Sequence, residues 1–213
     1  MSSKNPVNIA ASVLAKLRNL AAQRGWNYTH MLTRYGIERF LFRLGISEYA
    51  KQFVLKGGNM FVIWQNGNNS RPTIDSDLLC YGDFSDEHLK QVFTELCNMT
   101  GIPDDGVVFD SGSIKISPIR ETTEYGGTRI VFNTFIGTVR FPLQFDIGVG
   151  DAVTPAPECA DFPVLPSNDE IATAMGLPDG DSHRRESFCN GRSRSQQQPH
   201  ERFLRHLVAQ PNG

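Results

Sequence analysis

The chain has 213 residues, of which 39% are hydrophobic and 21% are charged, and its formal net charge is −2. A chain of this length buries roughly 70% of its unfolded surface, which is enough for one domain with appendages or for two small domains. The charge excludes a strong overall attraction to nucleic acid and leaves only a local basic patch open. The apolar runs fall far short of the roughly 20 residues of a membrane span, so we expect no membrane partner.

The cysteines of the chain are isolated from one another. No CxxC pair and no paired histidine spacing is present, which argues against structural zinc. Isolated cysteines are typical of a reducing compartment, and the start of the chain, MSSKNPVNIAAS, lacks the apolar stretch of a signal peptide. We therefore predict a cytoplasmic protein.

The first third of the chain has a helical pattern. Residues 8–24 and 28–44 carry apolar side chains at helical spacing. Thr29 is suited to cap the second helix and Gly45 to end it. The pattern predicts an N-terminal helical unit over residues 1–52.

The middle of the chain, residues 53–151, mixes strands with one helix. Residues 73–82 alternate as a strand does, and residues 85–98 have helical spacing. From 106 to 150 the chain is rich in Val, Ile, Phe and Thr, in the segments VVFD, SIKISPI, TRIVFNTFI and TVRFPLQFDIGVG. These patterns predict an α+β fold with a mixed, mostly antiparallel sheet.

The last part of the chain differs from the rest in composition. Residues 152–176 form a Pro-rich arm, as a linker or wrapping segment does. Residues 177–213 form a basic tail that contains six arginines, no lysine and three consecutive glutamines. We expect this tail to be disordered, because it has no hydrophobic pattern of its own.

Three carboxylates are candidates for a metal site. Asp75 and Asp77 lie two apart on the predicted strand and should therefore point to one face. Asp146 lies between Phe145 and Ile147 in a later apolar strand, where a charge needs a partner. Three such oxygen donors suit magnesium or manganese and could act as a two-metal clamp. The alternative is that the first two aspartates form an ordinary solvated strand edge.

A glycine pair precedes the acidic strand. Gly57–Gly58 lies just before a predicted helical stretch, where backbone amides can approach the oxygens of a triphosphate. Lys56 and Arg71 could add cationic contacts to the same phosphates. The order of these pieces, and not any one of them, indicates a nucleotide site.

The local sequences resemble a known family. FVLKGGNMFVIWQ and SRPTIDSDLL resemble the LKGG and R-x-[ST]-x-D-x-D blocks of the AbiEii/AbiGii toxins, and QFDIGVGDAVTPAP resembles their third block. These toxins belong to the DNA-polymerase-β-like nucleotidyltransferases. The resemblance implies a nucleotidyltransferase palm over 53–151 that uses a nucleoside triphosphate, an acceptor such as tRNA or another RNA, and a cognate antitoxin. It assigns nucleotide and metal binding to Gly57, Gly58, Thr73, Asp75 and Asp77, with Asp146 as the third acid.

The tail departs from this family, whose later A-E-K and R-M-K-D-x-x-D blocks are missing from residues 177–213. A codon string that encodes Pro199–Val208 gives RMKDFYDIWS when it is shifted by one nucleotide, and one for His183–Gly191 gives IAEKVFAMV. We hypothesise that the tail is translated out of frame and that the chain has little activity. The alternative is a natural basic extension that binds RNA.

Two other functions stay open at this point. The chain could be a non-catalytic remnant that still binds an antitoxin or RNA. It could also be a different transferase of the same superfamily, such as one that modifies antibiotics, although the N-terminal helices and the LKGG block argue against that.

Overall fold

The computed structural model describes residues 8–60, 73–119, 126–149 and 165, together with the backbone of 158–161 and 205–208. Helices and strands are combined in an α+β fold, as predicted. The helices are α1 (Ile9–Arg24), α2 (Tyr28–Ile46) and α3 (Asp86–Cys97), with a short 3-10 helix at Glu48–Lys51. The strands are β1 (Phe53–Lys56), β2 (Ser76–Cys80), β3 (Val107–Ile119), β4 (Gly127–Ile136), β5 (Val139–Val149), β6 (Glu158–Asp161) and β7 (Arg205–Val208).

Both N-terminal helices were predicted, but the cap of the second was not. The side chain of Asn27 accepts hydrogen bonds from the backbone N–H groups of Thr29 and His30, at 2.8 and 3.3 Å. Asn27 is therefore the N-cap, and Thr29 lies inside the first turn. The helix also continues past Gly45, since Ser47 is its C-cap.

The strands form one mixed sheet in the order β3-β4-β5-β2-β1-β7-β6. β2 pairs in parallel with β5, and β1 pairs in parallel with β7, while the other neighbours are antiparallel. The sheet is thus mixed and mostly antiparallel, as predicted. β7 comes from the tail, whose other residues lie outside the described part of the chain.

β3 has an irregularity in its pairing with β4. The segments VVFD and SIKISPI join in a single strand whose register against β4 shifts between Asp110 and Lys115. A β-bulge of this kind accommodates extra residues while pairing resumes beyond it. The small Ser-Gly-Ser segment lies at this register shift.

The helices cover one face of the sheet with an aromatic core. The ring of Phe40 on α2 lies within 5.5 Å of the rings of four other phenylalanines, measured between centroids: Phe93, Phe109, Phe132 and Phe145. α2 is buried over most of its circumference, because it lies between α1 and the sheet. The helical unit and the central strands therefore share one hydrophobic core.

A second cluster on α2 is charged and buried. The Glu38 carboxylate is fully buried; it accepts hydrogen bonds from Nη2 of Arg39 and from the backbone N–H of Leu165, both at 2.6 Å. Nη1 of Arg34 lies 3.6 Å from the same carboxylate. Because charges buried this deeply need partners, the Glu38 cluster (Glu38, Arg34, Arg39 and the Leu165 amide) joins α2 to a segment distant in sequence.

No helix in the described ranges combines the length and the apolar character needed to cross a membrane. Cys80 and Cys97 are free and buried. Burial raises the pKa of both thiols, to about 11 for Cys80 and about 12 for Cys97, so they are inert core side chains.

Candidate active site

Four charged side chains lie in one row across the sheet face opposite the aromatic core. Register pairs Lys56 of β1 with Asp77 of β2, Asp77 with Asp146 of β5, and Asp146 with Arg129 of β4. Cα partners on adjacent strands point to the same face, so the two carboxylates are neighbours between two cations. We call these four residues the charged row.

Asp75 joins this row from a position just outside the strand. The sequence predicted that Asp75 lies within the strand. β2 begins at Ser76, however, so Asp75 lies one residue before it. Burial still alternates from Asp75 through Asp77, with Ser76 buried between them. The buried Asn59 side chain donates through Nδ2 to the backbone oxygen of Asp75 at 3.0 Å, which fixes the entry to β2.

Gly57 makes room for Asp77. Its φ of +66° is in the left-handed region, and a Cβ at this position would lie 2.7 Å from Cγ of Asp77. Both the backbone conformation and the close approach of the carboxylate therefore require glycine. The sequence singled out this glycine for a triphosphate, whereas the structure gives it a direct packing role beside the carboxylate.

Gly58 and Thr73 pack against each other on the same side of the site. A Cβ on Gly58 would lie 3.0 Å from Cγ2 of Thr73. The backbone N–H of Gly58 donates a hydrogen bond to the Asp77 carboxylate. In this structure the Gly58 amide therefore binds a carboxylate. A phosphate oxygen is an anionic acceptor of the same kind.

The electrostatics of Asp77 reflect crowding by like charge. Partial burial raises the pKa of Asp77 most, and the neighbouring Asp75 and Asp146 raise it further. Lys56 and the Gly58 amide act in the opposite direction. The acids therefore repel one another, and a bound cation would relieve that repulsion.

Lys56 reaches over the sheet toward β5. The position that a Cβ on Gly148 would take is 3.1 Å from Nζ of Lys56 and 3.6 Å from Cδ2 of Leu79. The lack of a side chain at Gly148 leaves space for the ammonium group above β5, two residues beyond Asp146. The sequence proposed Lys56 as a phosphate contact, and its position beside the acids is compatible with that role.

Arg129 holds Asp146 through two hydrogen bonds. Nε donates to Oδ1 at 2.8 Å and Nη2 donates to Oδ2 at 2.7 Å, which is the bidentate geometry of a strong ion pair. Gln144 lies beside the pair; with its amide oxygen turned toward Arg129, it accepts from both nitrogens at 3.2 Å. This hydrogen bonding to Asp146 is the main cause that raises the pKa of Arg129.

The donor set suits a hard divalent cation, since it consists of carboxylate oxygens that repel one another. Among the described residues, however, no group of three acids, histidines or cysteines is arranged to hold a metal ion. Both oxygens of Asp146 are engaged by Arg129. The residue types therefore fit magnesium or manganese, and in this structure the Asp146 carboxylate is paired with Arg129.

The structure brings together most residues that the sequence proposed. Lys56, the glycine pair, Thr73 and the acids lie at the ends or edges of β1, β2 and β5. Arg71 is outside the described residues. The sequence missed Arg129, Gln144 and Asn59, because their roles arise from register and from tertiary contacts that no local motif reveals.

Comparison with known proteins identifies this arrangement. A family model described as "Nucleotidyl transferase AbiEii toxin, Type IV TA system" matches residues 39–177, well over half of the chain. The match includes all four residues of the charged row. By family, the chain falls in the nucleotidyltransferase class. Within that class it belongs to the AbiEii toxin family of type IV toxin–antitoxin systems, which confirms the resemblance seen in the sequence.

A solved structure is also similar, "Crystal structure of JHP933 from Helicobacter pylori". The match has 16% sequence identity and a TM-score of 0.38, and it covers 61% of this chain and 48% of that one. The chain therefore spans about half the length of that protein. No curated protein sequence gives a significant match.

Proposed function

We propose that the chain transfers a nucleotide from a nucleoside triphosphate to an RNA acceptor such as tRNA, in a magnesium- or manganese-dependent reaction. The observation that carries this proposal is the register of β2 and β5, which makes Asp77 and Asp146 direct neighbours on one face of the sheet. Membership of the AbiEii family supplies the reaction class. The same membership supports a cognate antitoxin as partner and a cytoplasmic location.

The proposed role of each residue in the site follows from its position. Asp75, Asp77 and Asp146 would hold the metal, which when bound polarises phosphoryl oxygens and stabilises the leaving pyrophosphate. Lys56 lies beside these acids and would contact the triphosphate. Gly58 would offer its amide to a phosphate oxygen once the Asp77 carboxylate turns toward a cation. Arg71 and Thr73 are proposed for nucleotide binding by resemblance.

A transfer assay tests this function. The chain is incubated with each α-labelled nucleoside triphosphate, total tRNA and Mg²⁺ or Mn²⁺, and label in RNA is counted. We expect a low incorporation that Asp77→Asn reduces to the background without enzyme, because a charged metal ligand is lost. Asp86→Asn, at an exposed carboxylate that begins α3, is the matched control and should retain activity. Equal incorporation by the Asp77 variant and the wild type would contradict the proposal.

We also propose that the tail lowers activity. Residues 177–213 lack the lysine and acidic blocks that the resemblance predicts after the palm, and synonymous codons can be chosen whose shifted frame encodes both in order. A frame-restored chain should therefore transfer nucleotides faster than this one in the same assay. Sequencing codons 170–213 is the direct check, since codons that cannot encode the shifted blocks would rule the hypothesis out.

The second candidate is a protein that binds antitoxin or RNA without catalysis. The pairing of Asp146 with Arg129 favours it, because the third acid is not free for a metal in this structure. Calorimetry of Mg²⁺ and triphosphate with wild type and Asp77→Asn separates the two candidates. Equal heats for both proteins would favour the binding protein.

A further inference from the structure

Arg129 occupies the place of a cation in the charged row. Its guanidinium engages both oxygens of Asp146, whereas Lys56, at the other end of the row, is a single point charge. A fork that fills both carboxylate oxygens neutralises the acid and fixes its orientation. The described site therefore already contains one internal cation where the third metal ligand lies.

The ion pair between Arg129 and Asp146 can separate without disturbing the fold. The Arg129 side chain is 42% exposed, while the Asp146 side chain is only 16% exposed. The guanidinium can thus rotate into solvent without creating a cavity, and the carboxylate stays where it is because β5 holds it between β2 and β4. Nothing comparable exists at Glu38, where the carboxylate and its arginine partners are all buried.

We propose that Arg129 competes with the divalent metal for Asp146: it holds the acid in the metal-free protein and swings away when the metal binds. The inference rests on the proposed metal-dependent function, since it concerns the same three carboxylates. Arg129 is on this view a positioning residue that acts through Asp146. Its removal should make Asp146 more available to a metal. The Asp146 side chain should then be less ordered when no metal is bound.

The consequence is a metal affinity below the one that the three acids would have alone. Breaking the fork subtracts from the free energy of metal binding, and the nearby positive charge opposes an incoming cation. Once released, the guanidinium remains at the edge of the row. There it can contact the anionic groups of the substrate, which would favour its open position only when metal and substrate are both present.

Calorimetric titration with Mn²⁺ alone tests the competition without any activity readout. We expect Arg129→Gln to bind Mn²⁺ about five-fold more tightly than wild type, the scale of one partly exposed ion pair. Arg140→Gln is the matched control. Arg140 is an exposed arginine on β5 whose Nε donates to Asn133, so its loss removes the same charge without touching Asp146. This control should leave the affinity unchanged.

Arg129→Lys distinguishes competition from a general effect of charge. Lysine keeps the positive charge but cannot fill both carboxylate oxygens. We expect it to tighten Mn²⁺ binding about two-fold, between wild type and the glutamine variant. If the far-ultraviolet circular dichroism spectrum shows that Arg129→Gln is misfolded, Arg129→Lys provides the test of the competition instead.

Each other outcome is decisive. Unchanged or weaker binding by Arg129→Gln would overturn the inference, and so would a lysine variant with wild-type affinity or an equal gain in Arg140→Gln. If the wild type bound Mn²⁺ no better than Asp77→Asn, the proposed metal site itself would be wrong, and the competition with it. The two failures are therefore distinguishable.

Discussion

The Glu38 cluster and the charged row both gather opposite charges, but they do so in different surroundings. Around Glu38 the acid is fully buried and two arginines and a backbone amide face it. In the charged row the acids are partly exposed, and Asp77 is crowded by two other acids. A buried acid that is surrounded by positive charges and donors holds the surrounding structure in place. Partly exposed acids that repel one another destabilise the fold, and a bound cation would remove that repulsion.

The largest expected effect is the loss of Glu38. Glu38→Ala should lower the free energy of unfolding by about 3–5 kcal/mol, because two buried arginines then lose a carboxylate partner. Urea denaturation followed by circular dichroism measures it. Glu95→Ala, which removes an exposed carboxylate on α3 that accepts from Tyr49 and Gln91, should have a much smaller effect. Equal losses would mean that the Glu38 cluster does not stabilise the fold.

The next effect concerns the glycine beside the acids. Gly57→Ala should lower the free energy of unfolding by about 2–4 kcal/mol, since alanine strains a left-handed φ and collides with the Asp77 carboxylate. Gly25→Ala is the matched control, with φ +64° and nothing within 4 Å of the added Cβ, and should lower it by about 1 kcal/mol. The same denaturation experiment measures both. Only Gly57→Ala should also weaken Mn²⁺ binding, and a Gly25 variant that matched it in both measurements would contradict this account.

The smallest effect tests the repulsion in the charged row. Asp77→Asn should raise the melting temperature of the metal-free protein by about 2–4 °C at neutral pH, because it removes a charge that burial and Asp75 disfavour. The pKa of Asp77 is raised in the folded state, so the ionised carboxylate costs stability above that pKa and the cost disappears as the pH falls through it. The gain should therefore vanish in acid. A gain that persisted below the ordinary carboxyl range would contradict this origin.

Asp86→Asn is the control for this last comparison. Asp86 is exposed in the first turn of α3, where a negative charge stabilises the helix, so its removal should lower the melting temperature slightly. Scanning calorimetry in metal-free buffer would show the opposite signs. Two variants that shifted in the same direction would indicate an effect of net charge and not of the row.

Local patterns predicted the elements of this fold better than its contacts. The spacing of apolar residues predicted α1, α2 and α3 to within a few residues, because each helix carries its own signal. The cap at Asn27 was missed because Thr29, two residues later, is also a favoured N-cap residue type. The register shift in β3 was not predicted, because it depends on the pairing with β4.

The candidate residues of the site could be chosen from the sequence, but their pairing could not. The acids and the glycine pair stand out because their order along the chain is specific. Arg129 and Glu38 do not, since each lies among ordinary polar positions of a strand or a helix and acquires its role only through residues distant in sequence. Strand register and tertiary burial decide these roles, and neither can be predicted from a short segment of sequence.

The parallel pairing of β2 with β5 has a consequence for the order of folding. Asp77 and Asp146 are separated by α3, β3 and β4, so they meet only after β5 has been placed against β2. Contacts of such long range close late, because the loop entropy of the intervening chain has to be overcome first. Partly folded chains would therefore lack the complete site, and metal binding would report the moment at which the sheet is finished.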